Sequence, residues 1–287
     1  MIDLHIHTSA SDGQFSPAET VDLAWKAGVT ALSVTDHDTT DGVAEASLAA
    51  HQYAMHFFTG IEISVQGEDE LHILGYGIDP QHPALQKFCR EQKKNREART
   101  ARLLCYLADA GVPITLEEVR QCNQGNASGR PHFARTLVQK GYVASVQEAF
   151  DRYLATPAFY QKVERPKPSP EEGISVLCQS GGVAVLAHPY LLHLNSDQLE
   201  ALFVHLKACG LAGIEVYYSR HTPEQTRLYL RLAKKYDLFF TCGSDFHGPA
   251  IKPEIFLGTG INGNLQRSDT EILVDLQKAI NARKQNS

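Results

Sequence analysis

Residues 2–38 read IDLHIHTSASDGQFSPAETVDLAWKAGVTALSVTDHD, and the rhythm of this stretch sets the fold. Ile2–His7 alternates apolar and polar side chains, as a half-buried strand does. Ser16-Pro17-Ala18-Glu19 then opens a helix, with Ser16 as N-cap, Pro17 at the first helical position and Glu19 completing a capping box. Gly28 ends that helix, and Thr30–Thr35 is a second strand. The pattern continues with a helix from about Asp41 to Tyr53 and β-like runs at Phe57–Val65 and Leu71–Ile78. It resumes after the middle of the chain. Ser169-Pro170-Glu171-Glu172 caps a helix that ends at Gly181-Gly182. Strands follow at Val183–Ala187, Ile214–Tyr217 and Leu238–Cys242, with helices at Asp197–Cys209, Pro223–Tyr236 and Thr270–Arg283. About seven strands alternating with helices predict an α/β chain built on a mainly parallel sheet or barrel.

The middle is different. A long helical pattern spans about His82–Ala110, and shorter ones fall at Thr115–Cys122, Pro131–Lys140 and Ser145–Tyr153. No convincing strand lies between about 86 and 166, and Val163-Glu164-Arg165-Pro166-Lys167-Pro168 reads as a linker. The expected organisation is a first α/β part at 1–86, a helical insertion at 87–166 and a second α/β part at 167–287.

Composition narrows the class. The chain has 287 residues, 43% hydrophobic and 21% charged, which excludes a disordered chain or a long coiled coil. A net charge of −6 argues against a general nucleic-acid binder, and no stable binding to duplex DNA is expected. The six cysteines contain no C-x-x-C pair and fall in apolar stretches, as reduced thiols do. The first residues lack a basic leader followed by an apolar run, and no stretch approaches the length of a membrane helix. These features predict a soluble cytoplasmic protein with no membrane partner. The unusual count is 13 His against 1 Trp and 2 Met.

Those histidines fall on the strand ends. In a strand, residues i and i+2 share a face, so His5 and His7 can grip one ion. Asp12 follows in the loop, His37 follows the second strand, and Glu62 lies in the third β-like run. His188 follows the fifth strand, and Asp245 and His247 follow the seventh. Parallel α/β folds bind ligands at the carboxyl ends of their strands, so these groups are expected to converge at one mouth. His72 is the expected exception, because it sits early in its strand. A mixed imidazole and carboxylate set of nine suits Zn, Mn or Fe better than Mg or Ca, and it is too large for one tetrahedral ion. Two or three divalent ions are expected, with Glu62 as a bridge.

In order, the segments are His5-Ile6-His7 with Thr8-Ser9-Ala10-Ser11-Asp12-Gly13, then Val34-Thr35-Asp36-His37-Asp38, Gly60-Ile61-Glu62-Ile63-Ser64 and His72-Ile73-Leu74-Gly75-Tyr76. Ala187-His188-Pro189 and Gly243-Ser244-Asp245-Phe246-His247 follow. Together they resemble the polymerase-and-histidinol-phosphatase (PHP) family, over nearly the whole chain outside the helical block. The resemblance implies a distorted (β/α)7 barrel, a binuclear or trinuclear metal site, with Mn the first expectation and Zn or Fe the others, and phosphoester hydrolysis. It carries the metal-ligand role onto His5, His7, Asp12, His37, Glu62, His72, His188, Asp245 and His247. A metal-bound hydroxide would attack phosphorus, and His221, His132 or a metal-bound water are the candidates for the acid.

Two further signals concern the substrate. Residues 87–102 hold seven basic side chains against two acidic ones, a net +5 that leaves −11 for the remainder. Arg96, Arg99 and Arg102 fall three apart on one side of a helix, and arginine forks suit phosphate. Asn126-Ala127-Ser128-Gly129-Arg130-Pro131-His132 opens a helix, where backbone N–H groups favour anions. Arg130 and His132 add donors there, and similar family members carry such a loop in their helical insertion. Tyr218 and His221 follow the sixth strand, Tyr218 suited to stacking on a base and His221 to donating to phosphate.

This compact chain with one helical insertion most resembles family members that convert nucleoside 3′,5′-bisphosphates to 5′-monophosphates. Related members trim short RNA from its 5′ end, so short oligoribonucleotides are a possible second substrate. A histidinol-phosphate-type phosphatase and a non-catalytic PHP module are the other readings. The second is disfavoured because no ligand position is lost.

Overall fold

The computed structural model describes residues 1–67, 70–122, 129–164 and 166–285. The chain divides into two compact units, Met1–Cys89 with Lys167–Ser287, and Arg90–Pro166.

The first unit holds seven strands: β1 (Ile2–Ile6), β2 (Ala31–Val34), β3 (His56–Ser64), β4 (His72–Tyr76), β5 (Val183–Leu186), β6 (Leu211–Tyr218) and β7 (Phe239–Gly243). They pair in sequence order. The two ends of the sheet meet through a parallel bridge between Ile6 and Phe246. There the Asp245 N–H donates to the His5 carbonyl at 2.8 Å, and the His7 N–H donates to the Phe246 carbonyl at 2.9 Å. The sheet is thereby a nearly closed barrel, the architecture expected from the alternation.

One strand runs against the others. β4 is antiparallel to both β3 and β5, and His72 pairs with Ser64, the last residue of β3. The expectation that an early position in its strand keeps His72 from the mouth is therefore overturned. Only residues 65–71 join β3 to β4, and a parallel crossover needs about a dozen residues or more. The chain must turn back, so the first residue of β4 stands at the carboxyl end of its neighbours.

The helices are α1 (Pro17–Lys26), α2 (Val43–Gln52), α3 (Pro83–Asp109), α4 (Leu116–Cys122), α5 (Arg130–Gln139), α6 (Val146–Ala149), α7 (Pro157–Val163), α8 (Pro170–Gln179), α9 (Ser196–Ala208), α10 (Pro223–Lys235) and α11 (Thr270–Gln285). The capping boxes read at Ser16/Glu19 and Ser169/Glu172 are both formed. Gly28 takes φ +85° just past α1, a left-handed turn that costs glycine little. α11 sets Ile272, Leu276 and Ile280, four residues apart, against Ile2, Leu4, Leu74, Tyr76 and Val185. α1 and α2 cover Ile6, Leu32 and Val34 with Val21, Ala24, Ala46 and Ala50.

The second unit has its own core, with Leu103, Leu107, Val119, Phe133, Leu137, Leu154, Phe159 and Val163 packed together. α7 is an element that the sequence reading missed. Its cap, Thr156, accepts from the Phe159 N–H at 3.1 Å, and Pro157 opens the helix. A Thr-Pro start was visible, but it stands against the linker-like residues that follow. No described helix is long and apolar enough to cross a membrane.

Candidate metal centre

The strand ends deliver the nine singled-out residues to one place. Glu62, on β3, is fully buried and faces five imidazoles. Its Oε2 lies 3.3 Å from His5 Nε2, 3.1 Å from His7 Nε2 and 3.1 Å from His37 Nδ1. Its Oε1 lies 3.0 Å from His72 Nδ1 and 2.9 Å from His188 Nε2. His5 and His7 share a face as the period of two requires, with their Nε2 atoms 3.1 Å apart. Asp245 Oδ1 lies 3.3 Å from His7 Nε2 and 3.4 Å from His247 Nδ1. Asp12 Oδ1 lies 3.4 Å from His247 Nε2 and 3.6 Å from His7 Nδ1. Four overlapping sets can each hold an ion: His7, Asp12, His37 and His247; His5, His7 and Asp245; His5, Glu62 and His188; His37, Glu62 and His72.

A layer of residues not singled out in the sequence holds this set in place. Glu215, on β6 and fully buried, accepts from His5 Nδ1 at 2.9 Å and from the His188 N–H at 2.8 Å. That hydrogen bond fixes the tautomer of His5 and turns its Nε2 lone pair toward the cluster. The Asp245 Oδ2 atom accepts from the Tyr218 hydroxyl at 2.8 Å and from Lys252 Nζ at 2.6 Å, leaving Oδ1 for the histidines. Asp36 accepts from the Thr8 N–H at 2.8 Å and the Ser11 hydroxyl at 2.6 Å, fastening the loop that carries Asp12. A Cβ on Gly243 would lie 2.2 Å from the His5 Cβ and 2.8 Å from Glu215 Oε1, so only glycine leaves room for that pair. The signal for Glu215 was present as a carboxylate inside the apolar run Ile214-Glu215-Val216. Asp38, His188 and Asp245 hold φ values of +56°, +23° and +59°. Non-glycine residues reach this region at a cost, and such positions concentrate at functional sites.

The electrostatics fit divalent cations. Burial alone would raise Asp12, Glu62 and Asp245, yet the surrounding cationic and imidazole groups hold all three well below the usual carboxylate range. Burial opposes protonating His7, but hydrogen bonds to Asp245 and Glu62 carry it up to about 9. Burial likewise opposes His5, and the charge of Glu215 and Glu62 carries it well above its ordinary value. Burial takes His37 down to about 3. Two buried carboxylates, Glu62 and Asp245, and the half-buried Asp12 thus favour positive charge around them, in the place where a cation would satisfy them directly. His7 Nδ1 and His188 Nδ1 are buried and lack a hydrogen-bond partner, which also suits residues shaped for an ion.

A cleft of about 290 Å3 opens beside the cluster. His37, Glu62, His72, His188 and Asp245 line one part, and Tyr190, Tyr218, Arg220 and Lys252 line another. Tyr218 is buried and hydrogen-bonded to Asp245, so it belongs to the support of the cluster as well as to the cleft. His221 is buried, and its Nδ1 lies 2.8 Å from the Val216 carbonyl, which can only accept. Burial holds it neutral, down to about 4, with the lone pair on Nε2. It must take up a proton before it can donate one.

The other substrate candidates lie in the helical unit. Arg99 and Arg130 place their guanidinium carbons 5.9 and 5.8 Å from the centre of the Phe159 ring. Arg130 also donates to the Tyr160 hydroxyl at 3.1 Å. Arg96 is half-buried on α3. His132 is buried in the first turn of α5, and its Nδ1 accepts from the Gly129 N–H at 3.1 Å. Asn126, Ala127 and Ser128 of the loop before α5 lie outside the described residues.

Known proteins resemble this chain over most of its length. Residues 3–195 match the PHP domain family. A 5′-3′ exoribonuclease of Haemophilus influenzae is 37% identical over 86% of this chain and 90% of its own length. A 3′,5′-nucleoside bisphosphate phosphatase of Chromobacterium violaceum is 35% identical over 86% of this chain and 87% of its own. A solved structure from Bifidobacterium adolescentis, described as a metal-dependent phosphoesterase, superposes with a TM-score of 0.76 at 33% identity and covers 96% of each chain.

Proposed function

The chain belongs to the PHP domain family and is a metal-dependent phosphoesterase; from that premise we propose that it removes the 3′-phosphate of nucleoside 3′,5′-bisphosphates, releasing 5′-monophosphates. The observation that carries this reading is Glu62 set between five histidines, with Asp12 and Asp245 on its flanks, beside a cleft bearing Arg220 and Lys252. We assign metal ligation to the nine residues of the cluster, with manganese as the first ion to test. A divalent ion bound there supplies Lewis-acid charge to phosphoryl oxygens and lowers the pKa of a coordinated water toward neutrality.

The chain's own groups do the positioning. Glu215 keeps His5 turned to the cluster, and Tyr218 with Lys252 keeps Asp245 directed by one oxygen. Lys252, paired with Asp245, and Arg220, paired with Glu254, line the cleft, and a phosphate entering it would share these cations with the two carboxylates. Tyr190, half-buried at the cleft, offers a ring face to a base, whereas Tyr218 is buried behind it. The cleft volume falls at the lower end of the roughly 300–1,000 Å3 common for small-molecule sites, which favours a mononucleotide. We assign the second phosphate to Arg99, Arg130 and His132, with Arg96 beside them. His132 is the first candidate acid, its Nδ1 accepting from the Gly129 N–H. His221 is the second candidate acid once it is protonated.

The test is phosphate release from adenosine 3′,5′-bisphosphate by manganese-loaded protein, with adenosine 5′-monophosphate as the expected product. No release while other phosphoesters turn over would sink the substrate assignment. The exoribonuclease relative supports a second reading, trimming of short RNA. A 5′-phosphorylated oligoribonucleotide turned over faster than the bisphosphate would favour it.

A further inference from the structure

A second group of metal-ligating side chains lies in the first unit, away from the nine-residue cluster. Glu171 stands in the first turn of α8, His205 in the last turn of α9, and Cys209 is the C-cap of α9. One ligand atom from each lies within 4.8 Å of the other two. His205 Nε2 is 2.7 Å from Glu171 Oε1, with the two side chains 50% and 48% exposed. His205 and Cys209 are four apart, so they share one helical face. Cys209 precedes the first residue of β6 by two positions, so it stands by the amino end of that strand.

We propose that Glu171, His205 and Cys209 form a separate site for a borderline-soft divalent ion of the zinc type, clamping α8 to α9. The donor chemistry points there. Imidazole, thiolate and carboxylate are the three ligand types of protein zinc, and three protein ligands leave a fourth tetrahedral position for water. The cluster at the mouth offers only nitrogen and oxygen, so sulfur separates the two centres by softness. Half-exposure gives the ion an entry path and lets the side chains open from their present contact to tetrahedral spacing. An exposed His–Glu pair by itself adds little to stability, and it leaves the adjacent thiol unused. On binding, the Cys209 thiol loses its proton to water, and the thiolate and carboxylate together balance the dication.

The test uses the full chain, reduced and stripped of metal by chelation, titrated with Co2+. Thiolate-to-cobalt charge transfer absorbs in the near ultraviolet, and no ligand of the mouth cluster contains sulfur, so this band reports a cysteine outside that cluster, and Cys209→Ser tells Cys209 from the other five. We expect the band to reach saturation in the unaltered protein and to vanish in Cys209→Ser. In His205→Ala it should need a higher cobalt concentration to develop. Phosphoester hydrolysis should be unchanged in Cys209→Ser. Saturation of the mouth cluster with no charge-transfer band would overturn the proposal, as would a band that survives Cys209→Ser.

Discussion

Under the proposed function, the barrel mouth and the helical unit both offer basic side chains to a phosphorylated ligand, but they do so under different constraints. At the mouth, Glu62 and four of its five histidines are buried; Glu215 fixes the His5 ring from behind, Gly243 leaves room for that pair, and the Asp245 carbonyl fixes the neighbouring His247 ring. In the helical unit, Arg99 and Arg130 are half-buried and lean on the Phe159 ring, which belongs to an apolar core. The mouth gives up local stability, in strained φ values and crowded carboxylates, to hold a charge that is not its own. The helical unit keeps an ordinary core and spends only side-chain entropy. A site made of strand ends is therefore expected to fail all at once, and a site made of surface arginines is expected to fail by degrees.

The largest expected effect is at the mouth. Glu62→Gln removes the carboxylate shared by two of the four ion sets, and kcat/KM should fall by about 10^3-fold or more, equivalent to about 4 kcal/mol. His7→Asn and Asp245→Asn should likewise abolish activity while circular dichroism shows the fold largely retained. A Glu62→Gln protein with normal metal content and turnover would break the comparison at its strongest point.

The next effect is on stability in the other unit. Phe133 is 1% exposed, and Phe133→Ala should lower the free energy of unfolding by about 3–5 kcal/mol in urea titrations. Metal content per folded chain should stay as it was. A concurrent loss of metal would show that the two regions are not separable in the way drawn here.

Third is Glu215→Gln, which leaves His5 without its charged partner. Outer carboxylates of this kind are worth about 10–100-fold in metal affinity, measurable by competition with a chelator. An unchanged affinity would mean that the barrel walls alone orient His5.

The smallest is Arg130→Ala. Losing one charge-assisted contact should raise KM for the bisphosphate about 10-fold, with kcat near its original value and a simple phosphate monoester unaffected. Equal losses on both substrates would reassign Arg130 from recognition to folding of the helical unit.

The residues at the mouth were legible because period two and strand ends are local facts. His5 with His7, and Asp245 with His247, announce a shared face within three residues, and His188 follows its strand directly. Glu215 was harder to see, since a carboxylate in an apolar run reads as an exception until its partner, 210 positions away, is known. Lys252 and Tyr190 gave no signal, because each lies in a loop or turn whose path is set by what the loop packs on. In the helical unit, spacing of three told which arginines share a side, and nothing in that spacing told that Phe159 would lie under them.

By itself, the sequence determined the seven strands, the ion-binding chemistry and most of its ligands, because these rest on side-chain type and short-range period. Tertiary structure decided the direction of β4, the closure of β1 on β7 and the partner of each ring. His72 shows the reason. Its position early in a strand points away from the mouth if the strand is parallel and into it if the strand is antiparallel. That choice is made by a seven-residue connection and by hydrogen bonds to two neighbouring strands, one of them more than a hundred residues away.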